Sequence, residues 1–243
     1  MSVETPDLTR KRDPMPVLRA LAVQQIPLTL AVPYKGLVLE QTLQPRSFSA
    51  HGVYFPPPKP QLCAAIYQTA YLHSRFLPAT VRGHVQWLME EGCTLHLTGL
   101  RFLAAPWRPR RESRVQPEGS FPVTVWVDRL PFQALMTNLS VHGVGLLFDS
   151  LVETPPAGLA AGLRMDVTLQ LASQHRITVA GEVIHAHCRE EHLWQVGARL
   201  FPTLEQERWL DLYVAERRVA IFTELEQRAR ELREVGQSLG LYF

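Results

Sequence analysis

Arg110 and Arg114, followed by Asn138, Ser140 and Gly143, are the residues best suited to hold a small anionic ligand. Arginine presents a planar fork of donors that grips a phosphate, or the O6/N7 edge of a guanine, through two parallel bonds. Asn138 and Ser140 stand at i and i+2, so on a strand both project from one face, where amide and hydroxyl can meet a base edge. Gly143 lets the backbone turn sharply or approach a ligand without a Cβ in the way. Arg111 is an auxiliary binder that could instead point to solvent. These residues describe a pocket for an anionic guanine nucleotide, built without a Gly-rich phosphate loop. The competing reading is a surface arginine pair followed by an ordinary turn.

The order Arg110-Arg111-Glu112-Ser113-Arg114, then Asn138-Leu139-Ser140-Val141-His142-Gly143, then Val144-Gly145-Leu146-Leu147-Phe148, resembles the PilZ family. That family's signature is R-x-x-x-R followed by [D/N]-x-S-x-x-G. The resemblance implies a small antiparallel β-barrel and a bacterial receptor for cyclic di-GMP, with outputs in motility or biofilm regulation. It assigns phosphate and guanine clamping to Arg110 and Arg114, and stacking on a base to Arg114. Asn138 and Ser140 would hydrogen-bond a guanine, and Gly143 would permit the close turn. Family members bind one or two stacked copies of the ligand, influenced by the residue before the first arginine. Here that residue is Pro109, and both counts stay open. The alternative within the family is a ligand-free adaptor working through protein contacts.

The chain has 243 residues, a formal net charge of +2, 46% hydrophobic residues and 20% charged ones. That is ample for a core and too nearly neutral for a broad DNA-binding surface. No apolar run approaches membrane-span length, and Met1 to Thr5 lacks a basic-then-apolar leader. Cys63, Cys93 and Cys188 are odd in number and scattered, which suits a reducing compartment. The expectation is a cytoplasmic protein.

An internal repeat sets the domain picture. Pro27 to Val32 echoes Pro122 to Val127, Ser47 to Val53 echoes Asn138 to Val144, Thr80 to Val85 echoes Thr178 to Val183, and Gly99 to Phe102 echoes Gly197 to Leu200. The offsets are 95, 91, 98 and 98 residues, so the drift falls in loops. Self-similarity at a domain-sized period argues for two copies of one fold. Arg19 falls where Arg114 would be, but Met15 stands opposite Arg110 and Ser47 replaces Asn138. The first copy therefore reads as a degenerate PilZ-like barrel, keeping Ser49 and Gly52 without the full site. The resemblance to two-domain flagellar-brake proteins is architectural.

Alternation predicts strands over Ile26–Val32 and Leu37–Leu43, with Pro56-Pro57-Pro58 ending the strand through Phe55. Residues 60–77 fit a helix or a strand and loop equally well. Strands are expected at Val81–Leu88 and Thr94–Phe102 around Glu90-Glu91-Gly92, and a Pro-punctuated linker at 103–109. In the second copy they are expected at Phe121–Val127, Val144–Phe148, Met165–Leu171, Arg176–Ala186 and Leu193–Phe201. Short strands at this spacing indicate antiparallel barrels.

His185, His187, Cys188 and His192 carry metal-ligand chemistry, but no second pair lies at finger-like spacing, so no metal is expected. No Ser/His/Asp order, Walker loop or acid/base carboxylate pair stands out. The chain is read as a non-enzyme with no cofactor and no catalytic residues.

From Thr203 the chain reads as one long helix, with Thr203 as N-cap and Gln206 at the third position in a capping box. Its apolar stripe includes Trp209, Leu212, Tyr213, Ile221, Leu225 and Ala229. The part to Arg217 is expected to pack on the barrel. The part from Val219 onward either pairs with a second copy as a homodimer seam or folds back on the N-terminal domain. The expected organisation is an arm (1–15), a degenerate PilZ-like barrel (16–103), a ligand-binding PilZ barrel (104–203) and a helical extension (204–243). The expected partners are cyclic di-GMP and a protein of unspecified identity.

Overall fold

The computed structural model describes residues 13–88, 94–104, 112–150, 158–171, 175–190 and 192–238. The chain forms two compact units. The first comprises Met1–Tyr34, Val38–Pro109 and Phe222–Phe243; the second comprises Lys35–Leu37 and Arg110–Ile221.

The first unit opens with a helix, α1 (Met15–Val23), where the sequence suggested only the end of an arm and a lead-in to the first strand. Its cause is visible in retrospect. Met15, Leu18 and Leu21 recur every three residues and all three are buried, while the Asp13 carboxylate accepts a hydrogen bond from the Met15 N–H at 3.0 Å. There follow β1 (Leu28–Tyr34), β2 (Leu37–Leu43), β3 (Ser47–Phe48), β4 (Gly52–Phe55), the short helix α2 (Pro60–Ala65), β5 (Thr69–His73), β6 (Val81–Leu88) and β7 (Thr94–Phe102). The ambiguous stretch 60–77 thus contains both a turn of helix and a strand.

The sheet order is β2-β1-β5-β6-β7-β4-β3. Its two ends, β2 and β3, are consecutive in the chain but lie at opposite edges, separated by Gln44-Pro45-Arg46. The expected first barrel is therefore a seven-stranded antiparallel sheet whose edges are not hydrogen-bonded to each other. Proline, which has no N–H to donate, stands at the break. Leu28, Leu30, Phe55, Leu72, Leu95 and Leu97 fill the core.

The second unit is a closed barrel. Its strands are β8 (Pro122–Val127), β9 (Leu130–Ser140), β10 (Gly143–Asp149), β11 (Arg164–Gln170), β12 (Arg176–Glu190) and β13 (Leu193–Leu200), hydrogen-bonded in the order β10-β13-β12-β11-β8-β9. Closure leaves no unpaired edge. Val123, Val125 and Val127 alternate inward from β8, as Val167 and Leu169 do from β11. Each such side chain contributes about 1.5–3 kcal/mol of burial.

The hairpin register of the repeat is the same in both units: Ser47 and Phe48 oppose Tyr54 and Val53 in the first as Asn138 and Leu139 oppose Gly145 and Val144 in the second. The pairing with the last strand is not: Gly52 opposes Thr98, whereas Gly143 opposes Arg199, three residues further along the repeat. The first unit carries an extra residue in β7 between Thr98 and Arg101, the second one in β12 between Val183 and His185.

Helix α3 (Leu204–Ser238) ends the described chain. Its capping box is formed: the Thr203 N–H donates to Gln206 Oε1 at 3.0 Å, and the Gln206 N–H donates to Thr203 Oγ1 at 3.4 Å. Leu210 packs in the barrel core. From Phe222 the helix belongs to the first unit, where Ile221's neighbours along the stripe, Leu225 and Ala229, are buried and Arg228 donates to the Tyr34 hydroxyl at 2.9 Å. Of the two readings of this segment, folding back is the one the contacts support.

Candidate ligand site

The site is built on the hairpin that joins β9 to β10. Ser140 pairs with Gly143 across the two-residue turn Val141-His142, Leu139 pairs with Val144, and Asn138 pairs with Gly145. The next pair is Met136 with Leu146, so Thr137 is an extra residue in β9. This bulge has a directional effect: Met136 and Leu139, three residues apart, both face the core, and Asn138 and Ser140 share the opposite face. Without it the strict alternation of a strand would turn Asn138 inward.

Arg114 is brought to this face by the backbone. The residue after it, Val115, forms an antiparallel bridge with Leu139, each N–H donating to the other's carbonyl at 2.9 Å. A Cβ added at Gly143 would lie 3.2 Å from Ser140 Oγ and 3.3 Å from Arg114 Nη2. Hydroxyl and guanidinium thus converge over bare backbone. Gly143 is not in a left-handed conformation, so it serves close approach and not a special turn.

Ser140 is buried, and its hydroxyl donates to the Gly143 carbonyl at 3.3 Å. The Asn138 amide donates to Thr137 Oγ1 at 3.2 Å, while its Oδ1 is buried with no hydrogen-bond partner among the described residues. An acceptor in that state costs about 1–3 kcal/mol. Arg110 and Arg111 lie outside the described residues. The structure brings together Arg114, Ser140 and Gly143 and places Asn138 on the same face.

Four participants were not singled out from the sequence. Gly145 sits opposite Asn138, and a Cβ there would collide with the Asn138 amide and come within 2.6 Å of Thr137 Oγ1. His142 lies in the turn itself: Nδ1 is 2.8 Å from Glu112 Oε1, Nε2 is 3.1 Å from Glu207 Oε1, and its backbone N–H donates to Glu112 Oε2 at 3.2 Å. Burial alone would lower the His142 pKa, but Glu112 and Glu207 outweigh it and raise the pKa above the ordinary histidine value. Burial would likewise raise the Glu112 pKa, but hydrogen bonds from His142 and Ser140 hold it below the usual carboxylate value. Glu112 and His142 occupy variable positions of the signature and Gly145 lies two residues past its end, so pattern alone did not mark them.

A separate concavity lies elsewhere. A surface groove of about 870 Å³ runs over the outer face of β8, β11 and β12, lined by Trp126, Arg164, Asp166, Arg176 and Phe201 among others. No described signature residue lines it, and the convergence of side chains on the hairpin is the better guide to chemistry. His185, His187 and Cys188 are exposed on β12, with the two imidazole rings 6.0 Å apart. No group of three His, Cys, Asp or Glu suited to a metal ion occurs among the described residues.

The family model described as PilZ domain matches residues 108–216, which spans this hairpin, the arginine segment and the first turns of α3. The chain contains a PilZ domain. Solved structures similar to this chain include Escherichia coli YcgR in complex with c-di-GMP, at 18% identity and a TM-score of 0.39, covering 95% of this chain and 98% of that one. A K. pneumonia MrkH–c-di-GMP complex matches at 12% identity and a TM-score of 0.42, covering 88% and 94%. Bacillus subtilis inhibitor of motility (MotI/DgrA) matches at 10% identity and a TM-score of 0.40, covering 80% and 96%. No curated protein matches the chain. The PilZ match points to no catalytic family, and no described helix is long and apolar enough to cross a membrane.

Proposed function

We propose that the PilZ domain of this chain binds cyclic di-GMP and acts as its effector, changing contacts between its own parts or with a partner protein. Arg110 and Arg114 clamp the ligand's phosphates and guanine edges, with Arg111 as an auxiliary contact. Asn138 and Ser140 take the edge of a guanine, whose N1–H and exocyclic amine supply the donor that Asn138 Oδ1 lacks. Gly143 and Gly145 keep the surface bare enough for the base to approach.

The observation that carries this reading is the meeting of Arg114 Nη2 and Ser140 Oγ, 3.3 Å and 3.2 Å from the Cβ position of Gly143, on the face that also holds the buried Oδ1 of Asn138. A cationic fork, a hydroxyl and an orphaned acceptor on one glycine-floored surface match an anionic guanine nucleotide in each of its parts.

Calorimetric titration of the full chain with cyclic di-GMP tests the proposal. A charge-assisted hydrogen bond contributes about 1.5–3 kcal/mol, so Arg114→Ala should weaken binding about tenfold or more. Thermal stability should change little, because the guanidinium lies outside the barrel core. A wild-type protein that binds no cyclic di-GMP would end the receptor reading and leave the ligand-free adaptor in its place.

A further inference from the structure

His142 touches a carboxylate with each ring nitrogen, Glu112 through Nδ1 and Glu207 through Nε2. A neutral imidazole has one N–H and one lone pair, and a lone pair aimed at a carboxylate oxygen is repelled. Only the imidazolium, with two N–H donors, satisfies both contacts.

The two carboxylates come from different elements. Glu112 lies in the arginine segment, two residues before Arg114, and Glu207 lies in the first turn of α3. The same segment is held a second time by α3, where buried Arg217 donates its Nε–H to the Gln116 carbonyl at 2.9 Å. Between these two ties Val115 bridges to Leu139. Residues 112–116 are therefore fixed to the hairpin and to the helix on both sides of Arg114. Among the described residues, the charged groups around His142 are Glu112 from the arginine segment, Glu207 from α3, Arg114 beside Gly143, and exposed Arg199 on β13, which pairs with Gly143 in register.

We infer that His142, as an imidazolium held between Glu112 and Glu207, is a positioning residue that fixes Arg114 for the ligand and lowers ligand affinity when it loses its proton. This rests on the reading of the site as a cyclic di-GMP site. The ligand's phosphodiesters and the arginines keep their charges near neutrality, so the imidazole is the group that titrates. Its raised pKa sets the loss of affinity on the alkaline side of the ordinary histidine range.

The test combines two measurements on the full chain. Affinity for cyclic di-GMP is measured from about pH 6 to about pH 8.5 for the wild type, His142→Gln and Glu207→Gln. Wild-type affinity should fall about three- to fivefold over that range, as befits partly exposed ion pairs. His142→Gln should be flat with pH and resemble the wild type at its alkaline end, and Glu207→Gln should show a shallower slope. Separately, NMR titration of the ligand-free chain should show the His142 ring titrating above the ordinary value, and returning toward it in Glu207→Gln. Equal slopes in the wild type and His142→Gln, or an ordinary His142 titration, would overturn the inference. A wild type that binds no ligand at any pH ends the functional reading and the positioning role with it, while the NMR titration still decides whether the clamp exists.

Discussion

The two hairpins related by the repeat make opposite use of nearly the same residues. In the second unit Asn138, Ser140, Gly143 and Gly145 leave a bare surface with Arg114 beside it. In the first, Ser47 pairs with Tyr54 where Asn138 pairs with Gly145, and the Tyr54 ring stacks on His96 with centroids 4.1 Å apart and planes within 8°. The Ser-to-Gly contact survives, with Ser49 Oγ 3.4 Å from the Gly52 carbonyl. Arg19 also survives in place, yet its Nη2 donates to the Ser49 carbonyl at 2.9 Å and its guanidinium lies over Phe48. Gly52 is bare because the His96 ring lies against it. In the first hairpin the arginine, the serine and the glycine are all taken up by contacts within the unit. A glycine and a serine at matching positions of the hairpin are thus accounted for by the turn alone.

The comparison is broken most severely at Gly145. Gly145→Tyr, which copies the first hairpin, should abolish cyclic di-GMP binding in calorimetry. It should also destabilise the barrel by about 1–3 kcal/mol, since the new side chain meets Asn138 and Thr137 at once. A variant with undiminished affinity would show that the hairpin face is not the ligand surface.

Exchange at the neighbouring position sharpens the contrast with a smaller effect. Asn138→Ser should lower affinity about fivefold to tenfold, the value of one hydrogen bond to a base edge. Gly52→Ala in the first unit should leave affinity unchanged and lower the thermal stability of the protein, because the added methyl displaces His96.

The smallest effect is in pH. Burial lowers the His96 pKa, whereas the two glutamates raise that of His142. A histidine whose folded pKa is depressed contributes stability above its unfolded pKa, and that stability is lost as pH falls. One whose folded pKa is raised contributes below its unfolded pKa and loses the contribution as pH rises through the folded value. Hydrogen exchange at about pH 6 and about pH 8, corrected for intrinsic rates, should therefore move in opposite senses. Amides of β4 and β7 should lose protection at the lower pH, and those of β10 and β13 at the higher. For the exposed His142 clamp the change should not exceed about 1 kcal/mol.

Much of this architecture was legible because it rests on periodicity. The alternating valines of β8, the capping box at Thr203 and the proline stop after Phe55 each act locally, and each element formed where its residues required it. The repeat carried the hairpin register as well, though not the pairing of β4 with β7. What escaped the sequence was non-local. Helix α1 is short and lies between two prolines, so its three-residue stripe was hard to separate from a loose arm. The bulge at Thr137 follows from how β9 meets β10, not from any residue of its own. The roles of Glu112 and Glu207 depend on a histidine 30 and 65 residues away respectively. The seven-stranded sheet of the first unit places β2 and β3 at opposite edges on either side of Gln44-Pro45-Arg46, an outcome set by where the flanking strands pair.

The unpartnered oxygen of Asn138 has a further consequence for engineering. A free receptor that carries an unmet acceptor is less stable than the same barrel with an apolar residue of similar shape in its place. On the proposed function, selection for heat tolerance would therefore tend to replace Asn138 and yield sturdier variants with weaker ligand binding, and any stabilisation screen on this protein should count ligand affinity alongside melting temperature.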